Sequence, residues 1–179
     1  SNFDEKNINL TIGNFDGIHL GHRHIIDELI KISKINNHQS CLLSFLPHPR
    51  KFFGNLNENF NIISDDYKKK ILNKLGLDIY IDFEFNSSLA SLSPENFINE
   101  ILCEKLKIKS IIVGEDFRYG KDRKGDLGLL NSKSKELLFD LKIIKPILDN
   151  NNKQKYSSSI IREHLKTGKI ELVNEALGR

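Results

Sequence analysis

Asn9-Leu-Thr-Ile-Gly-Asn-Phe-Asp-Gly-Ile-His-Leu-Gly-His22 reads as a short strand, a glycine-punctuated turn and the opening of a helix. Ile8, Leu10 and Ile12 alternate as the inward face of a half-buried strand. Gly13, Gly17 and Gly21 let the backbone turn tightly and come close to a ligand. From His22 onward, Ile25, Ile26, Leu29 and Ile30 fall on one helical face. The helix start therefore offers unpaired N–H groups, and the positive end of its dipole, to whatever fills the turn. His19 and His22, three residues apart, reach the same spot with ring N–H donors. These residue types in this order specify a polyphosphate site.

The rest of the chain narrows the class. A length of 179 residues implies one domain, large enough to bury a real core. The 27 basic and 24 acidic residues leave a net charge of +3, and the basic residues are scattered, which argues against nucleic acid as a partner. Cys41 and Cys103 are too few and too far apart for a disulfide framework or a zinc ribbon. No apolar run approaches membrane-spanning length, and the first residues lack a signal-peptide core. A cytoplasmic enzyme or binding domain is expected, with no membrane partner.

Strand patterns recur at 40–45, 78–85, 109–113 and 141–147, and helical patterns lie between them. Ser64 caps a helix through Lys74, with Gly76 as its stop. Ser93-Pro94-Glu95 starts another, whose buried face is Phe97, Ile98, Ile101, Leu102 and Leu106. Further helices are expected at 127–139 and 160–166, and a last one ends at Leu177; the Asn-rich stretch 54–61 reads as a flexible loop. Strands alternating with helices predict an α/β fold, a parallel sheet covered on both faces. Ligands of such sheets bind beyond the carboxyl ends of the strands, where the turns described here fall.

Tyr156-Ser-Ser-Ser-Ile-Ile-Arg162 makes a second anion site by its own physics. Serines at a helix start cap the free N–H groups or hand them to a phosphate. Arg162, one turn in, can fold back on the same phosphate; plain capping beside a surface arginine is the alternative. In Pro47-His-Pro-Arg-Lys-Phe-Phe53 the prolines stiffen the chain, and Phe53 either offers a flat face for stacking or joins Phe52 in the core. If Gly114-Glu-Asp-Phe-Arg-Tyr-Gly120 stays extended, Asp116 and Arg118 share one side; a surface ion pair is the other reading. The charged stretch 121–126 reads as a loop. Asp16 is either a metal ligand or the former of an Asx-turn. A zinc site at His19 and His22 would want further ligands, and no Glu stands in the His-Glu-x-x-His position.

Gly13-Asn-Phe-Asp-Gly17 followed by His19-Leu-Gly-His22 resembles the signature of the HxGH nucleotidyltransferase superfamily. More narrowly, it is similar to the FMN adenylyltransferase (FAD synthetase) domain of the bacterial bifunctional riboflavin kinase/FAD synthetase family. The stretches 45–53, 113–120 and 157–162, with Ala90-Ser-Leu-Ser93, agree in order along nearly the whole chain. Ser159 stands where the family usually has threonine and keeps the hydroxyl. The resemblance implies a Rossmann-like doubly wound parallel sheet and the reaction of ATP with FMN, with Mg²⁺, to give FAD and pyrophosphate by direct in-line attack. It implies catalytic roles for His19, His22, Ser158, Ser159 and Arg162. ATP would lie on Gly13, Asn14, Phe15, Asp16, Gly21, Asp116 and Ser157, with Asp16 the one candidate for Mg²⁺. The flavin would lie on Pro47, His48, Pro49, Phe53 and Arg118. Residues 1–179 are expected to form this domain alone, the riboflavin kinase domain belonging to the full-length protein and absent from this chain. Another phosphorylated acceptor of the same superfamily, or a non-catalytic flavin-nucleotide-binding module, are the alternatives.

Overall fold

The computed structural model describes residues 7–54, 61–149 and 154–179. Residues 55–60 of the expected flexible loop therefore lie outside the described residues. Five parallel strands, β1 (Ile8–Ile12), β2 (Gln39–Leu46), β3 (Ile79–Glu84), β4 (Ile108–Gly114) and β5 (Asp140–Ile144), form one sheet in the order β3-β2-β1-β4-β5. The fold is thus the expected doubly wound, Rossmann-like sheet. The winding reverses at β1, so its carboxyl end opens at the switch point where such sheets bind ligands.

The sheet is covered on both sides. On one face Ile8, Leu10 and Ile12 pack with Cys41, Leu43, Ile111 and Val113 against Ile98, Ile101 and Leu102. On the other, Leu42 packs with Ile26, Ile30, Ile71 and Leu72, and Ile112 with Leu29 and Ile144. β1 is therefore buried along its whole length, where alternation had suggested a half-buried strand. A central strand covered twice must satisfy its polar members internally. The Asn9 amide does so by donating to Ser33 Oγ at 3.2 Å, and its oxygen meets the His38 ring at 2.9 Å.

The helices are α1 (Leu20–Asn36), α2 (Pro49–Phe52), α3 (Asp65–Leu75), α4 (Ser87–Ser91), α5 (Pro94–Asn96), α6 (Leu127–Glu136), α7 (Ser158–Lys166) and α8 (Ile170–Leu177). Their caps follow the sequence signals. Ser64, Ser93 and Ser157 accept hydrogen bonds from Tyr67, Asn96 and Ile160, and Gly76 closes α3 at φ +85°. α1 starts two residues before His22 because the His19 side chain is its cap. α5 continues as a π-helix, Phe97–Lys105, with Leu106 N donating to Ile101 O at 3.0 Å. The buried positions are those expected, since residues four apart keep one face in either helix. α4, capped by Asn86, was not foreseen, and both 127–139 and 141–147 end short of expectation, at Glu136 and Ile144. The charged stretch after Gly120 is a single 3₁₀ turn, Lys121–Arg123, held by a Tyr119–Gly125 bridge rather than a free loop. Among the described residues no helix is long and apolar enough to cross a membrane.

Leu42 is fully buried between the sheet and two helices, whereas Leu138 is 89% exposed. Leu42→Ala is expected to cost about 2–5 kcal/mol, and Leu138→Ala less than about 0.5 kcal/mol. Urea unfolding checks both, with the m-value unchanged in each.

Candidate active site

The loop from β1 to α1 is strained and held from outside. Phe15 and Ile18 sit at φ +47° and +40°, in the left-handed region that a β-branched residue rarely enters. Such conformations persist only where surroundings over-determine them. Lys68 Nζ donates to Asn14 O at 3.4 Å, and Ser158 Oγ donates to Asp16 O at 2.9 Å. The Asp16 carboxylate, only 6% exposed, accepts from the backbone N–H of Ile62 at 2.9 and 3.1 Å and pairs with the Arg162 guanidinium. The loop is thereby tied to the chain ahead of α3 and to α7.

His19 caps α1 by accepting the His22 backbone N–H on Nδ1 at 3.3 Å. That bond leaves the ring proton on Nε2. The two rings stack at 3.6 Å between centroids, tilted by 20°. Gly21 makes the packing possible, since a Cβ there would stand 3.2 Å from the His19 ring and 3.4 Å from Tyr156 O. Burial, and then the Arg162 charge, lowers the His19 pKa to about 4. Burial also lowers His22 well below the ordinary value, with His19, Arg162 and Lys68 adding to it. Both imidazoles are therefore neutral at pH 7 and have N–H groups, not charges, to offer. Among the described residues the Nδ1 of His22 is buried with no hydrogen-bond partner. Cys41, pushed up to about 12 by burial, is no nucleophile.

Two clefts open at the carboxyl ends of the strands. A smaller one of 380 Å³ is lined by His19, Gly21, Phe15, Ser157 and Ser158, with Ile144 to Ile147 as its outer wall. A larger one of 940 Å³ is lined by His48, Pro49, Phe53, Phe85 and Arg118. Ile12, Gly13, Asn14, His22, Asp116 and Phe117 line both, so the clefts share a wall. Phe53 is 59% exposed and stands edge-on to Phe85 with ring centroids 6.0 Å apart, which removes the core reading of that phenylalanine. His48 caps α2 through Arg50 N, and burial lowers its pKa to about 4.

Several expected residues are placed differently. Asp16, Ser158 and Arg162 are joined to one another across the back of the loop, so that the carboxylate read as the Mg²⁺ candidate is already saturated. Among the described residues no three His, Cys, Asp or Glu side chains converge to hold a metal. Ser159 is exposed, and neither it, Pro47 nor Arg162 lines either cleft. The 114–120 stretch is not extended throughout: Phe117 N donates to Gly114 O at 3.1 Å, closing a turn. Asp116 therefore meets Lys155 at 2.5 Å while Arg118 turns to Phe117 O. Lys155, Phe85 and the 144–147 wall were not read from the sequence. Lys155 lies next to the serine run and Phe85 ends a strand pattern, the only local signals either carries.

A model of the FAD synthetase family matches residues 2–160. The chain is 42% identical over 174 residues to the bifunctional riboflavin kinase/FMN adenylyltransferase of Buchnera aphidicola subsp. Schizaphis graminum (strain Sg), covering 97% of this chain and 55% of that protein. It is 32% identical over 178 residues to the FAD synthetase of Listeria monocytogenes serovar 1/2a, covering 99% of this chain and 71% of that one. The chain spans about half the length of the bifunctional relatives it matches. Among solved structures, the macrolide-efflux protein from Streptococcus pneumoniae aligns with a TM-score of 0.81 at 22% identity, over 96% of this chain and 56% of that one, a likeness of fold.

Two outcomes follow from the electrostatics. The folded protein holds His19 neutral down to about pH 4, whereas the unfolded chain takes up that proton near pH 6.5. Stability is therefore complete above pH 6.5 and falls as the pH drops towards 4, by about 1.4 kcal/mol per pH unit for each such proton. Thermal unfolding between pH 7.5 and 4.5 shows this slope, and His19→Asn, which keeps a capping oxygen, flattens it. Asp16→Asn removes the buried carboxylate that pairs with Arg162 and is expected to cost about 3 kcal/mol, with the loss on Arg162→Met in the same background smaller than in the parent because the pair is already broken. Chemical denaturation of the single and double variants checks the pair.

Proposed function

The chain belongs to the FAD synthetase family, and from that footing we propose that it is an FMN adenylyltransferase, transferring AMP from ATP to FMN to give FAD and pyrophosphate. The observation that carries the proposal is the position of His22 on the wall shared by two clefts, one backed by a helix N-terminus and one lined with aromatic rings. A reaction joining a nucleotide to a flavin phosphate needs two sites that touch at the reacting phosphorus. ATP takes the smaller cleft, its triphosphate at the start of α1. FMN takes the larger one, its ring system against Phe53 and Phe85 and its phosphate towards His22.

An FMN phosphate oxygen attacks the α-phosphorus as the bond to the β-phosphate bridge breaks, and pyrophosphate leaves with that electron pair. The work left to the protein is positioning and charge stabilisation. His19 Nε2–H and the His22 ring donate to the phosphate oxygens, and as neutral groups in a partly dry site they do so at fixed orientation. The described side chains offer Mg²⁺ no cage of their own, so an ion bound to ATP would come as part of that substrate and would offset part of the triphosphate charge. The same proposal includes a cytoplasmic location and a linked riboflavin kinase domain in the full-length protein, as the names of the bifunctional relatives suggest.

The test is pyrophosphate release from ATP and Mg²⁺ with FMN, following FAD by chromatography. Riboflavin, pantetheine phosphate and nicotinate mononucleotide serve as parallel acceptors. FAD formation that depends on FMN is expected, with His22→Ala lowering kcat by about 10²–10³-fold. Turnover with another acceptor, or tight flavin binding without turnover, contradicts the proposal.

A further inference from the structure

Two carbonyls of the strained loop are held by a residue that lines neither cleft. Arg179 Nη2 donates to Gly17 O at 2.8 Å, and its Nη1 to Ile18 O and Leu177 O at 3.4 Å each. The guanidinium lies 5.7 Å from the Tyr67 ring centroid, which supports its plane. Gly178, at φ +64°, closes α8 and turns the chain so that Arg179 reaches back to the loop. A Cβ on Gly178 would stand 2.7 Å from Leu20, the first residue of α1. Gly17, at φ +84°, packs against Ile62 and Leu177 in the same way. The end of α8 and the start of α1 are therefore fitted to each other by close approach as well as by hydrogen bonds.

What this contact fixes is the residue before the catalytic cap. Ile18 is fully buried at φ +40°, a conformation that a β-branched residue holds only where its surroundings restrain it. Its carbonyl directly precedes His19, whose extended φ/ψ of −69° and 171° sets the cap and hence the direction of both stacked rings. A planar fork with several donors spans two successive carbonyls; a lysine ammonium at that distance does not.

Resting on the transferase reading above, we propose that Arg179 is a positioning residue for AMP transfer, holding Gly17 and Ile18 in the strained conformation that aims His19 and His22 at the phosphates. Arg179 acts through the loop, so its loss lowers the rate of transfer and leaves substrate affinity nearly unchanged.

Arg179→Met, which keeps the apolar stem, and Arg179→Lys are compared with the unaltered chain by steady-state kinetics, thermal unfolding and ¹⁵N NMR of the histidine rings. For Arg179→Met, kcat is expected to fall about 10–100-fold with KM for ATP and FMN within about twofold. Its Tm stays within about 4 °C, and the His19 Nδ1 resonance loses its acceptor signature. Arg179→Lys restores less than half of the lost rate. Unchanged kcat, or a loss of activity that simply follows loss of the folded state, overturns the proposal. If the unaltered chain makes no FAD at all, the transferase reading fails, and the ring spectra then decide the positioning role alone: an Arg179→Met spectrum identical to the parent's overturns it.

Discussion

A buried carboxylate is costly unless it is paired, and Asp16 is the one on which this site depends. Its partners come from far along the chain, the backbone of Ile62 and the guanidinium of Arg162. Satisfying Asp16 therefore forces the segment ahead of α3 and the first turns of α7 to converge on the loop after β1. The loop is then held in a conformation its residues would not choose alone, with Phe15 and Ile18 at positive φ. The cap by His19, the stacking of His22 and the wall common to both clefts follow from that placement.

The same ion pair shapes the electrostatics. Burial is the main cause that lowers the pKa of His19, His22 and His48, and the Arg162 charge, although that residue lines neither cleft, adds to it in all three. Under the proposed reaction, positive potential for an incoming triphosphate comes from the helix terminus, from Arg162 behind the loop and from Lys145 and Lys155 on the cleft wall, while His19 and His22 are neutral donors. That division suits a reaction in which negative charge shifts from one phosphate to another, because fixed dipoles need not reorganise as it moves.

The core and the helix starts were legible in the sequence because they are local. Phe97, Ile98, Ile101 and Leu102 share a face at fixed spacing, and Ser64, Ser93 and Ser157 cap the next turn. The two histidines were legible for the same reason, three residues apart at a helix start. Asp16 was not, because a lone acid in a glycine turn gives no hint that its counter-ion stands 146 residues further on. Nor was the tie of Ser158 and Arg162 to Asp16, since capping serines and a following arginine look alike whether or not they also brace a loop. β1 read as half-buried because Asn9 and Thr11 are polar; only the sheet order puts them under a second layer. The family resemblance carried the function further than spacing could.

The central claim is that AMP passes directly between ligands in two clefts that meet at His22, without a covalent stop on the protein. The stereochemistry at the α-phosphorus tests it most directly. With ATP bearing a chiral α-phosphorothioate and FMN as acceptor, one in-line displacement gives a flavin dinucleotide of inverted configuration. Retention would mean two displacements through an adenylylated side chain, and would contradict the account.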